Sequence, residues 1–159
     1  MTAQPALPAE PEEILSDLLG LDSGLTRRAY YGERSVFYNP GGAAPLGTIV
    51  ASIKDRDGPN DRGASLSRDG VFRLAFQLSR AAYVARFGPV PPRPPKGSAV
   101  ALPGFDLTCL GELAPHPVYA WMRWVQILSP TVEQYESLRP HLEESLALVK
   151  AKWQGRKAS

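Results

Sequence analysis

Few residues in this chain have the means to do chemistry. The stretch APHPVYAWMRWVQILSP at 114–130 holds His116, one of only two histidines, set between two prolines just upstream of a pair of tryptophans. Proline fixes its own φ and pushes the residue before it into extended geometry, so Ala114 to Pro117 is stiff and non-helical. An imidazole held there could act as a general base, because its ordinary pKa lies near 6.5. The competing reading is a structural histidine whose ring satisfies the loop backbone. Catalysis would also require a nucleophile and an orienting partner, and the sequence identifies neither. Cys109 lies upstream between Leu107 and Leu110, an apolar setting in which a thiol is inert filler. Asp106, Glu112 and His141 share no ligand spacing with His116, so no metal is expected. Asp69 in SRDGVFR reads as a turn carboxylate. GxxxxGK[ST], GxSxG and GxGxxG are absent, and no cofactor is implied.

A second constellation is a face. VFRLAFQL at 71–78 alternates, with Phe72, Leu74, Phe76 and Leu78 on one side and Arg73, Ala75 and Gln77 on the other. In a last strand over Trp121–Leu128, Trp121, Arg123, Val125 and Ile127 share one side. If the Arg73 and Arg123 sides coincide, two guanidinium groups and an indole line a shallow floor beside Tyr119 and His116. Arg73, Gln77, Tyr119, Trp121, Arg123 and His116 are then the candidate ligand-binding set, suited to an acidic small molecule or a protein partner. An ordinary solvated sheet face with snorkelling arginines is the plainer alternative. Met122, Trp124 and Leu128 form the other row of that strand and need a cover, from the Pro-rich segment or from a second subunit in a homodimer.

These residues must be positioned by elements that the pattern also outlines. Ile14, Leu15, Leu18 and Leu19 repeat at helical spacing between Pro11 and Gly20. RSVFYNPGGAAPLGTIVASI predicts two strands joined by the turn-forming NPGG. Ser79 caps a helix that stops at Gly88, and residues 89–104, crowded with prolines, form an extended surface segment. Val132, Tyr135, Leu138, Leu142, Leu146, Val149 and Trp153 mark a final helix. Thr131 and Gln134 supply its capping box, and Pro140 kinks or restarts it. Short connections and hairpin signals favour an α+β fold, an antiparallel sheet with helices on one face. A leader over 1–9, one domain over 10–154 and a frayed basic tail over 155–159 complete the expected organisation.

The composition excludes several classes. The 159 residues suit one domain, 43% of them are hydrophobic, and the formal charge is only +2. A single cysteine excludes an intramolecular disulfide and a cysteine-built zinc site. The N-terminus lacks the basic start and apolar block of a secretion signal, and no run suits a membrane span, so a cytoplasmic location is the default. A nucleic-acid surface remains an alternative if folding gathers Arg27, Arg28, Arg34, Arg56, Arg62 and Arg68. An enzyme using His116 as general base is the third reading.

The blocks SLSRDGVFRL and HPVYAWMRWVQILSP also resemble an uncharacterised bacterial family known only as a domain of unknown function. Its pattern reads S-R-L-x-R-x-G-V-F-R and H-P-V-Y-x-W-M-x-W-V. Ser65, Leu66, Arg68, Gly70, Val71, Phe72 and Arg73 match the first block. His116, Pro117, Val118, Tyr119, Trp121, Met122, Trp124 and Val125 match the second. The chain departs after Arg73, where LAFQLS replaces a more polar, Gly-containing run. The order of elements is more distantly similar to MmcQ/YjbR-like proteins, which implies an α+β fold and a proposed link to DNA. Neither resemblance implies an established activity.

Overall fold

The computed structural model describes residues 9–158; residues 1–8 of the leader expected over 1–9, and Ser159, lie outside the described residues. Ala9, which the expected leader included, is buried, and its N–H donates to the Pro130 carbonyl at 3.0 Å.

The chain folds as an antiparallel α+β unit. Helix α1 (Pro11–Leu19) leads into strands β1 (Leu25–Tyr30), β2 (Glu33–Tyr38), β3 (Thr48–Lys54) and β4 (Arg73–Gln77). Helix α2 (Arg80–Phe87), the two-residue strand β5 (Ala114–Pro115), β6 (Trp124–Leu128) and the long helix α3 (Val132–Ala158) follow. The sheet runs β1-β2-β3-β4-β6-β5, and every pairing is antiparallel. The expected NPGG connection is present as a 3₁₀ turn, Pro40–Gly42, between β2 and β3.

Opposite residues in an antiparallel pair share a face. Val36, Ala51, Ile53, Leu74, Phe76, Val125 and Ile127 therefore line one side of the sheet. They form the main core with Ile14, Leu15 and Leu18 of α1 and with Tyr135, Leu138, Leu142, Leu146 and Val149 of α3. Both expected caps form: Ser79 Oγ accepts from Ala82 N, and Thr131 and Gln134 bond each other's backbone N–H reciprocally at 2.9 and 3.1 Å. Pro140 does not restart α3. The helix continues through it, with the buried stripe engaged on both sides.

Two expectations are corrected. The last strand begins at Trp124, not Trp121, because Ala120–Met122 winds into a 3₁₀ turn that Arg123 ends in the left-handed region at φ 67°. Strand β1 had no counterpart in the sequence reading. It is an edge strand exposed along most of its length, so LTRRAY carries no apolar alternation. Its hairpin to β2 turns on Tyr31 and Gly32, at φ 50° and 75°, a two-residue turn of the primed type with tyrosine where Asn or Gly is usual.

Candidate functional site

The helix-free face of the sheet is built differently. Register places Arg28, Ser35, Ser52, Ala75 and Gln126 in one cross-strand row, and the short side chains at its centre leave the floor low. Long loops cover part of this face. At one end, Ala64, Leu66 and Val71 close over Leu128 as a second small core. Gln126 Nε2 donates to the Leu107 carbonyl at 2.9 Å beneath the segment leading to His116. Loops thus cover this part of the last strand.

Under the covering loop lies a buried ionic cluster. Arg73, 1% exposed, grips Asp61 through Nη1 and Nη2 at 2.9 and 2.6 Å, and Lys54 Nζ reaches the same carboxylate at 3.0 Å. Glu33 stands 4.0 Å from Arg73 and accepts the Ser52 hydroxyl at 2.9 Å. Burial alone would raise the Asp61 pKa. Hydrogen bonds and attraction from Arg73, then Lys54, overcome that and hold the carboxyl far below the usual range.

Where β1–β3 are not covered, a pocket of about 260 Å³ opens between the Tyr30–Glu33 hairpin and the His116–Trp124 segment. Tyr30, Tyr31, Tyr119, Met122 and Trp124 make its walls, and Ser35, Ser52, Ile49, Glu33 and His116 its inner surface. Ser35 is 1% exposed, and its hydroxyl has no hydrogen-bond partner. A buried hydroxyl without a partner costs stability, and here it belongs to a residue that lines the pocket.

His116 is buried, and the Pro-His-Pro geometry shows what holds it. Its backbone N–H donates to Trp124 O at 3.0 Å, next to the Pro115–Val125 pairing of β5 with β6. Nδ1 accepts from the backbone N–H groups of Val118 and Tyr119 at 3.0 and 3.1 Å. The proton of the neutral ring is therefore on Nε2. Burial first, and then the Arg73 charge, push the pKa well below 6.5, with Asp61 opposing and Lys54 assisting. Such a ring is a fixed N–H donor, with no free nitrogen to accept a proton as a base.

A model of the family of unknown function DUF6194 matches residues 9–158. The chain belongs to that family. No curated protein and no solved structure matches this DUF6194 chain.

Of the six candidate ligand residues in this DUF6194 chain, the pocket gathers His116 and Tyr119. Arg73 lies beneath the covering loop, its terminal nitrogens committed to Asp61. The register pairs Arg73 with Leu128 and Gln77 with Trp124, so the Arg73 side coincides with the Trp124 row and not with the Val125 row. Arg123, outside the strand, donates through Nε to the Leu78 carbonyl at 3.1 Å, and Gln77 Nε2 to Met122 O at 2.8 Å. Trp121 stacks under the Arg93 guanidinium, 4.6 Å from the ring centroid. The expected two-arginine cradle does not form, because the register sets the Arg73 side with the Trp124 row and the 3₁₀ turn takes Trp121 and Arg123 out of the strand.

The other candidates lie outside this pocket, and Arg56 and Arg62 are exposed on the surface. Cys109 Sγ donates to Asp106 at 3.2 Å, and that bond, with burial, raises its pKa. Asp69 is exposed in the Gly70 turn. Arg27 and Arg34 both bond Glu12, Arg28 bonds the Pro45 carbonyl, and Arg68 bonds the carbonyls of Ala64, Ser65 and Thr108. Tyr30, Tyr31, Glu33, Ser35, Ile49 and Ser52 were missed by sequence reasoning. A signal was present in YYGERS, where a glycine suited to a tight turn precedes the consecutive polar residues Glu33, Arg34 and Ser35.

Proposed function

We propose that this protein is a binding module for a small, planar, largely apolar molecule, seated in the pocket between the Tyr30–Glu33 hairpin and the His116–Trp124 segment. One observation carries the reading: an aromatic-walled pocket lined in part by Ser35, whose buried hydroxyl has no hydrogen-bond partner. Ligand pockets are typically apolar with a few placed polar groups, and a volume near 260 Å³ suits a single ring system with a short head. In this reading Trp124 and Tyr119 offer faces for stacking, while Ser35 and His116 Nε2–H supply directional bonds. The acidic ligand expected from the sequence loses its basis, since Arg73 and Arg123 are engaged by the protein itself. His116 serves as a donor, which favours binding over general-base catalysis. The likeness in element order to MmcQ/YjbR-like proteins adds no residue to this site.

The test is a titration of the ¹⁵N-labelled protein with phenol, a neutral planar probe. Saturable shifts are expected at the amides of Tyr30–Ser35 and His116–Val125 and at the Trp124 indole, weakened in Ser35→Ala. Shifts that never saturate, or that spread evenly over the surface, would sink the reading.

A further inference from the structure

The chemical character of the ligand follows from what the pocket offers and what it withholds. Of the residues that line it, Glu33 alone carries a formal charge, because His116 is held neutral by the backbone N–H groups on its Nδ1. Glu33 Oε1 accepts from Ser52 and faces Arg73, whereas Oε2 receives no hydrogen bond among the described residues. Arg73 stands 4.0 Å from Oε1, outside hydrogen-bond reach, and both its terminal nitrogens already bind Asp61. Arg73 and Lys54 share the single carboxylate of Asp61, so Glu33 balances the cluster's remaining charge through Oε1, while its Oε2 is left open as an acceptor. The rings of Tyr30, Tyr119 and Trp124 and the Met122 side chain line the same pocket. Aromatic faces are the negative poles of their rings and favour a positive or N–H-bearing group.

We infer that the pocket selects a planar ring bearing an amidine-like N–H head, an amidine or an amino-substituted nitrogen heteroaromatic, which donates to Glu33 while its ring lies among Tyr119, Trp124 and Tyr30. Ser35, able to donate or accept, meets a second polar atom of the head, and His116 Nε2–H meets an acceptor on heteroaromatic members of the class. A carboxylate ligand is disfavoured, because it would face Glu33 with no free cation opposite. This inference rests on the pocket reading above, and it adds the sign and hydrogen-bonding sense of the ligand.

Three probes of nearly one shape separate the terms: benzamidine, benzamide and benzoate, each titrated into the ¹⁵N-labelled full-length chain at constant ionic strength. Benzamidine should bind at least tenfold more tightly than benzoate, with benzamide between them. In Glu33→Gln, which keeps an oxygen for Ser52, the advantage of benzamidine over benzamide should fall to about twofold or less while benzamide binding persists. Benzoate equal to or tighter than benzamidine overturns the inference, as does an undiminished benzamidine preference in Glu33→Gln. If all three bind equally, the charge preference is wrong and the pocket reading stands. If none gives saturable shifts at Ser35 and Trp124, the pocket reading and this inference both fall.

Discussion

On β4, Leu74 and Phe76 enter a closed apolar layer beneath α1 and α3, while Arg73, Ala75 and Gln77, one residue out of step, face a side that no helix covers. The same alternation holds on β3, where Ile53 joins the helical core and Ser52 and Lys54 face the loops. One side is stabilised by area removed from water, which needs only apolar residues of suitable volume. The other is held by paired charges and loop carbonyls, and it keeps a polar pocket open. Stability and site are thus carried by opposite faces of one sheet, and substitutions should sort accordingly.

The largest effect that can break this division is at the ionic cluster. Asp61→Asn leaves Arg73 and Lys54 buried with only Glu33, 4.0 Å from Arg73, as counter-charge, and removing one partner of a buried pair costs about 3–5 kcal/mol. Leu142→Ala, beneath the opposite face, should cost about 2–5 kcal/mol through lost burial and a residual cavity. Urea denaturation of the two single variants and the double variant checks both. The sum should hold within about 0.5 kcal/mol, because the sites share no partner across the sheet. Strong coupling would mean that the two faces do not act independently.

Acid should act chiefly through the helix-free face. His116 has its pKa depressed in the native state by burial and by Arg73, with Lys54 assisting and Asp61 opposing. An unfolded chain takes up that proton near pH 6.5, whereas the folded one refuses it. The stability is therefore complete above pH 6.5 and falls as pH drops below it, by at most about 1.4 kcal/mol per unit, until the native value is reached. Asp61 acts in a lower window, contributing above its unfolded value near 3.9 and losing that contribution as pH falls toward its depressed native value. His116→Asn retains an acceptor for the Val118 and Tyr119 N–H groups and should flatten stability between pH 6.5 and 5. Denaturant midpoints at several pH values measure this, and an unchanged slope would remove His116 as the cause.

The contrast between the faces also explains what could be read from the sequence. Helical stripes such as Leu138, Leu142 and Leu146, the Thr131–Gln134 box and the Phe72–Leu78 alternation are local signals, and each predicts its element. The pocket is not local: Ser35, Ser52 and Trp124 meet only through strand register and a 3₁₀ turn. Arg73 illustrates the point. Its place on the helix-free face is evident from period-two alternation, but Asp61 sits in a loop whose path no periodicity encodes. Exposed β1 is invisible to a method that looks for apolar residues, although its neighbour β2 is plain.

A smaller effect sharpens the comparison by having opposite signs in stability and in binding. Ser35→Ala removes a buried hydroxyl that has no partner, so the fold should gain up to about 1 kcal/mol, while phenol or benzamidine binding weakens several-fold. A buried serine outside the pocket would show the gain without the loss of ligand. Thermal denaturation and the same NMR titration measure the two outcomes on one sample.

The smallest expected effect lies at the hairpin tip. Tyr31 is 84% exposed and holds φ 50°, a region that bulky side chains avoid and Asn tolerates. Tyr31→Asn should therefore relieve the β1–β2 turn and stabilise the protein by a few tenths to about 1 kcal/mol. The same change removes one aromatic wall of the pocket, so affinity for a planar probe should fall about two- to fivefold. Tyr31→Phe separates the causes, because it keeps the strained turn and the ring. It should bind like the parent and show none of the stability gain. If Tyr31→Asn stabilises the turn and leaves binding untouched, Tyr31 is surface outside the pocket, and the wall on that side is Tyr30 alone.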